Sequence, residues 1–319
     1  MKRKVIKQGN NTLTITLPKD WTEKFNVKAG DEIDLNETEN GIILNTEYHK
    51  KQKSIDINID HLERLALAKL LVACFEQGYD KITLHFSKQK IVSWSHGNED
   101  ITDTINFFVG RLIGFEVISQ TSKSITIGNL SEKLTKFEDI LSRLFFLIEE
   151  YIKHLIDAIK TGEYNDLKQG ENRHDNITKF VALASRIVFE ENLYNKNQAV
   201  NYFTILNYLD KVTDFIRYAY KNTLTHKRRL SKETLVLAQK SFDYFELYRH
   251  FFYKPDYSLI NQLDDKRGEI KNLFLKSENS EKSITAQFES MVEIMNGIIK
   301  SRIALSLSQN ETKNFTVSN

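Results

Sequence analysis

Four stretches of the chain carry an acid-x-x-x-acid pair: Glu171 with Asp175, Asp210 with Asp214, Asp265 with Glu269, and Glu289 with Glu293. On a helix, a spacing of four puts both carboxylates on one face. Like charges there repel, so the pair lowers stability unless a metal ion or a basic side chain compensates. Inward-facing pairs on neighbouring helices make an oxygen-rich cage suited to ions such as Fe, Mn, Zn, Mg or Ca. The competing arrangement is a solvated acidic face neutralised by the chain's own cations, such as Arg173, Lys211, Lys266 and Arg267. The pairs fall twice in the same order, which gives an internal repeat of about 90 residues.

The N-terminus offers a second chemistry. Residues 1–28 hold seven basic residues (Lys2, Arg3, Lys4, Lys7, Lys19, Lys24 and Lys28) against Asp20 and Glu23, a local charge of +5. Residues 29–47 carry only acids, so the charge is polarised. Such a basic patch neutralises phosphates, releases counterions and gives salt-dependent nucleic-acid binding. Asn10, Asn11 and Thr12 add groups able to bond bases or phosphates. Arg3 is the only arginine before Arg64. Lysine lacks the planar fork that reads guanine, so these residues suit backbone contact better than base discrimination. The plainer alternative is a lysine-rich solvated face on a dimerisation module.

Other chemistries find little support. Over the whole chain the charge is balanced: 45 Lys and Arg face 43 Asp and Glu across 319 residues, a net +2. That excludes a chain-wide basic surface. No Gly-rich phosphate loop, nucleophile elbow or His-x-x-x-His pair occurs, and His174 is the only histidine inside an acid motif, so enzyme activity is not expected. His61, His85 and His96 are scattered and read as ordinary surface or core residues. One cysteine, Cys74, permits neither an internal disulfide nor a thiolate metal site and fits a reducing compartment. The first residues contain no apolar run of signal-peptide length, and the most apolar helix, near Phe145, is broken by Glu149, Glu150, Lys153 and Asp157. The expectation is a cytoplasmic protein without membrane insertion.

Three kinds of element must position these groups. Residues 1–47 read as short strands: 12–17 alternate polar and apolar, Pro18 opens a short helix through Phe25, and Asn40-Gly41 marks a hairpin turn. So short a segment cannot bury a stable core alone, and oligomerisation is the natural remedy. Residues 48–130 alternate strands (54–59, 81–86, 91–94, 115–118, 124–127) with helices (61–76, 99–112), a small α/β sandwich in which Asp60 is placed to cap the first helix. Residues 131–308 are almost wholly helical. Leu134, Phe137, Leu141, Leu144, Ile148, Ile152 and Leu155 keep a three-to-four spacing, and similar patterns recur at 171–192, 199–223, 231–253, 258–276 and 281–307. Six long antiparallel helices suggest two three-helix bundles, with a polar, frayed tail at 309–319.

Two segments resemble known families. The run Lys4-Val5-Ile6-Lys7-Gln8-Gly9, then Leu13 to Pro18-Lys19-Asp20-Trp21, then Val27-Lys28-Ala29-Gly30-Asp31-Glu32-Ile33 resembles the AbrB/SpoVT swapped-hairpin family over about 45 residues. That resemblance implies two chains interleaving hairpins into one DNA-binding homodimer. The paired acids resemble the PhoU family, two three-helix bundles whose E(D)-x-x-x-D motifs bind multinuclear metal clusters. The second repeat departs from that pattern, with Glu269 and Glu293 where aspartate is usual and Gly268 inside a helix. Together the segments look like archaeal-type phosphate-uptake regulators with an AbrB-type head. The implied function is transcriptional regulation of phosphate uptake, with a metal-binding sensor body. The alternative is an interaction regulator that docks on a phosphate transporter component or a sensor kinase, its head serving only to dimerise.

Overall fold

The computed structural model describes residues 2–9, 12–38, 41–46, 52–94, 97–130, 136–190, 196–226 and 228–308. The tail 309–319, expected to fray, lies outside them. The chain forms two compact units, Met1–Lys53 and Ser54–Asn319.

In the first unit, β1 (Ile6–Gln8) pairs antiparallel with β2 (Thr12–Thr14), Lys7 opposite Leu13. The alternation of residues 12–17 continues past the ladder, because a three-residue β1 offers partners only as far as Thr14. Pro18 is the N-cap of α1 (Lys19–Lys24), and the Trp21 and Phe25 rings meet at 5.3 Å on one side of it. A hairpin of β3 (Ile33–Thr38) and β4 (Gly41–Thr46) follows, Leu35 opposite Leu44. Of the residues of this unit whose side chains are described (2–9, 12–33, 35, 42, 44, 52 and 53), none is buried. Val5, Ile6, Leu13, Ile15, Leu35 and Ile42 are each between 53% and 70% exposed, so a single copy carries much apolar surface.

The second unit begins with β5 (Ser54–Asn58), α2 (Arg64–Glu76) and β6 (Lys81–His85). Then come the hairpin β7 (Lys90–Ser93) and β8 (Gly97–Asp100), α3 (Ile101–Val109), β9 (Phe115–Gln120) and β10 (Ser124–Asn129). The sheet runs β5-β6-β10-β9, parallel between β5 and β6 with α2 as the crossover and antiparallel elsewhere. Two helix starts differ from the sequence expectation for one kind of reason. Asp60 does not cap a helix from residue 61; its carboxylate accepts the Ser87 N–H at 2.6 Å, and α2 starts at Arg64. Residues 99 and 100, expected as helix, pair with β7, and Asp100 caps α3 by accepting from the Thr102 and Asp103 N–H groups.

Six long helices complete the unit: α4 (Phe137–Thr161), α5 (Gly170–Glu190), α6 (Lys196–His226), α7 (Lys232–Tyr253), α8 (Ser258–Lys276) and α9 (Lys282–Ser308). Each falls on an apolar repeat read from the sequence, and Gly162 ends α4 in the left-handed conformation at φ 79°. α4, α5 and α6 pack on one another, as do α7, α8 and α9; α6 lies along α9 and α4 touches α7. The α/β part packs on this body through α2 and α5. There the buried Arg186 donates to the Phe75 and Tyr79 carbonyls and to Asp80. Among the described residues, no helix is long and apolar enough to cross a membrane.

Candidate functional site

The first turns of α5 and the middle of α6 bring the first set of acids together around one histidine. His174, buried on α5, has Nε2 3.2 Å from Asp214 Oδ1 on α6 and Nδ1 3.5 Å from Asp175 Oδ1. Among the described residues, one group of potential ligands has its donor atoms within 4.8 Å of one another: Glu171, His174 and Asp175. Spacings of three and four on a single helix place them side by side. His174 was visible in the sequence only as a histidine inside an acid motif; that it faces the α6 pair comes from the packing of the two helices.

Cations of the chain already meet these acids. Lys221 Nζ is 2.6 Å and Arg217 Nη1 3.8 Å from Glu171, Arg111 pairs with Asp175, and Lys211 and Arg217 each reach Asp214 at 2.8 Å. Burial works to raise the Asp214 carboxyl, but hydrogen bonds from His174 and Lys211 and the charges of Lys211 and Arg217 hold it well below the usual range. Burial opposes protonation of His174, and the Asp175 and Asp214 carboxylates outweigh it, so the imidazole sits above its ordinary value. Lys211 and Arg217 are the i−3 and i+3 neighbours of Asp214, a pairing the sequence did contain. Arg111 comes from the α/β part, and periodicity gives no sign of it.

The second set is arranged differently. Arg267 clamps Glu293 with two hydrogen bonds of 2.8 and 2.7 Å, and Lys240 Nζ is 2.6 Å from Glu269. Asp265 and Glu269 are exposed on α8, while Glu289 is half-buried and raised by burial and by Glu293. These four are not among the converging ligand groups found in the described residues.

Asp210, the first member of the α6 pair, is not in the converging ligand group, although it shares a cavity with His174. It lines a cavity of about 470 Å³ together with Glu76, Lys69 and Ala68 of α2, Phe108 of α3 and Lys179 of α5. Burial and the neighbouring Asp210 push the Glu76 carboxyl up to about 7. Glu76 went unnoticed in the sequence because it belongs to no acid pair.

In the first unit, Lys2, Arg3, Lys4, Lys7, Thr12, Lys19 and Lys24 are all exposed. Lys19 has a 3.5 Å ion pair with Glu23 one turn on, and Lys24 lies over the Phe25 ring at 5.4 Å. Asn10 and Asn11 lie outside the described residues.

A β-rich head with an exposed basic strand-and-helix segment, followed by a largely helical body, defines the class of chain. Residues 6–55 match the family model described as antidote-toxin recognition MazE, bacterial antitoxin. The head is therefore a MazE/AbrB-like domain, in keeping with the hairpin resemblance of its sequence. The match ends beside β5 and does not reach the helical body. No match was found among curated proteins.

Proposed function

We propose that the protein is a homodimeric, DNA-binding transcriptional regulator whose helical body sets the state of its head. The observation that carries this reading is a basic, MazE/AbrB-like head whose Val5, Ile6, Leu13, Ile15, Leu35 and Ile42 are exposed in a single copy. A second copy covers that apolar surface and brings two +5 segments onto one assembly. Lys2, Arg3, Lys4, Lys7 and Lys19 would contact phosphates, with Lys24, Thr12, Asn10 and Asn11 beside them. The PhoU-like order of paired acids on four of the six long helices supports phosphate uptake as the regulated process.

The sensor role assigns a metal ion to the first acid set. Two carboxylates and an imidazole suit Zn, Mn or Fe, and they are the donors that converge there. An ion at Glu171, His174 and Asp175 would replace the charge now supplied by Lys221, Arg217 and Arg111. The second set does not fit an ion as well, since Arg267 occupies both oxygens of Glu293.

The test is fluorescence anisotropy of the full chain on promoter DNA across salt concentrations. The expected result is a linear fall of log affinity with log salt, with a slope near −0.9 per phosphate neutralised. Replacing Lys2, Arg3, Lys4 and Lys7 by Gln should flatten it. Flat, negligible binding would refute DNA binding, leave the head as a dimerisation device, and direct attention to a transporter component or a sensor kinase.

A further inference from the structure

In the cavity between α2, α3, α5 and α6, the acids Glu76 and Asp210 make no ion pair with the lysines Lys69 and Lys179 that line it with them. Its wall is apolar: Ala68, Leu71 and Val72 of α2, Phe108 of α3, and Val181 and Ala182 of α5. Ala68, Val72 and Glu76 lie one turn apart along α2, so a strip of small side chains leads to a carboxylate. Alanine at residues 68 and 182 leaves open the space that larger core residues would fill.

Around that wall, Glu76 and Asp210 come from different helices, close enough for Asp210's charge to act on Glu76. Glu76 has no ion pair with any described residue, and Asp210 has a long one, with Lys211 at 3.9 Å, a lysine that meets Asp214 more closely at 2.8 Å. Lys69 and Lys179 also line the cavity, and neither has an ion pair with any described residue. A turn away the pattern is the reverse: Glu171, Asp175 and Asp214 are each met by Lys or Arg. A mere seam between helices would let long lysines swing to the nearest acid in the same way. Instead Glu76 and Asp210 share one cavity of about 470 Å³ with Lys69 and Lys179 and pair with neither, while Arg111 and His174, which also line it, meet Asp175 and Asp214; the size is typical of small-molecule sites.

The geometry points to a binding site for a small zwitterion with an apolar side chain, of which the free apolar α-amino acids are the simplest members. The ligand's ammonium would sit between Glu76 and Asp210, and its carboxylate would reach Lys179 and Lys69. Its side chain would cover Ala68, Val72 and Phe108. A ligand with only one charge would leave the opposite pair unmatched, which is the basis of discrimination. The site spans the α/β part and the helical body, so an occupant would act on both. It does not depend on the DNA-binding reading, and direct binding tests it without DNA.

The experiment is isothermal titration of the full chain with L-leucine, L-phenylalanine and the dipeptide Leu-Leu. Isocaproate (leucine without its amine), isopentylamine (leucine without its carboxylate) and manganese chloride serve as comparisons. At least one zwitterion should bind, with both single-charge analogues at least tenfold weaker. Glu76→Gln and Lys179→Ala should each weaken that zwitterion at least tenfold, with folding checked by circular dichroism. Three results would each overturn the proposal: no zwitterion binds at millimolar concentration; isocaproate or isopentylamine binds as tightly as the zwitterion; or manganese alone binds in a manner that Glu76→Gln abolishes. The analogue comparison uses the unaltered protein, so it decides even if a variant fails to fold.

Discussion

Arg186 is the largest side chain fully enclosed by the core, 1% exposed, and it joins the α/β part to α5. Its guanidinium lies against the Phe75 and Phe115 rings while its hydrogen bonds go to two carbonyls and Asp80. Replacing it with Ala removes the guanidinium from Asp80 and from two main-chain carbonyls, and the expected cost is about 3–5 kcal/mol in urea unfolding. Arg186→Lys should recover only part of this, because an ammonium cannot serve three acceptors in fixed directions. Glu76 makes the opposite case, a carboxyl that folding disfavours when charged. Its folded value, about 7, lies above its ordinary 4.5, so the native state holds its proton longer than the unfolded chain does. Stability should therefore fall as pH rises from 4.5 to 7, against Lys69, Arg111, His174, Lys179 and Asp210 around the same cavity. Glu76→Gln should remove that slope and stabilise the protein at pH 8 by on the order of 1–3 kcal/mol, read from melting curves across pH. At this scale the sequence was half legible. Acid pairs announce themselves by spacing, and Lys211 and Arg217 sit within three residues of Asp214, whereas Arg186, Arg111 and Glu76 acquire their roles from residues about 60 to 130 positions away.

Among elements, the helices were the most legible, because each carries its own apolar stripe; their junctions were not. Gly170 begins α5 under the Tyr220 ring: a Cβ there would stand 2.7 Å from Tyr220 Cδ1. Tyr220 has no room to yield, since its hydroxyl donates to the Tyr151 carbonyl and the Tyr151 hydroxyl in turn donates to the Gly170 carbonyl. Gly170→Ala should therefore cost about 1–3 kcal/mol in chemical unfolding despite alanine's better helix propensity. The start of α7 depends on a residue outside it. Ser231 is its N-cap, and Glu281, just before α9, accepts from the Ser231 N–H at 2.8 Å, from the Ser231 hydroxyl at 2.6 Å and from the Thr234 hydroxyl. Burial works to raise the Glu281 carboxyl, but those bonds win and hold it below its ordinary 4.5. Its contribution is thus present above that value and is lost as acid titrates it. Glu281→Ala should cost about 1–3 kcal/mol at neutral pH, and the difference from the unaltered protein should narrow as the pH is lowered below 4. A serine before a helix is readable as a cap; a glutamate 50 residues later that completes it is not.

For the whole molecule, the contrast lies between a body with a continuous core and a head whose described side chains include none that is buried. Helical periodicity shows which face of α6 is buried but not that α9 covers it, so the joining of the two helix groups was beyond the sequence. The head's incompleteness, by contrast, could be read from its length. Leu13, opposite Lys7 in the β1–β2 ladder, is 70% exposed in a single copy, the most exposed of the head's described aliphatic side chains. If a second copy buries it, Leu13→Asp removes about 2 kcal/mol from each chain. Both copies carry the change, so the dimer dissociation constant should rise by on the order of a thousandfold. Sedimentation velocity at micromolar protein should then show monomer where the unaltered chain is dimeric. The body's unfolding, followed by helical ellipticity at 222 nm, should keep its midpoint, because Leu13 lies outside the second unit. DNA affinity should fall together with dimerisation, since each separated head keeps only its own +5 segment. A Leu13→Asp chain that stays dimeric would place the association in the helical body instead and remove the structural reason for a paired DNA head.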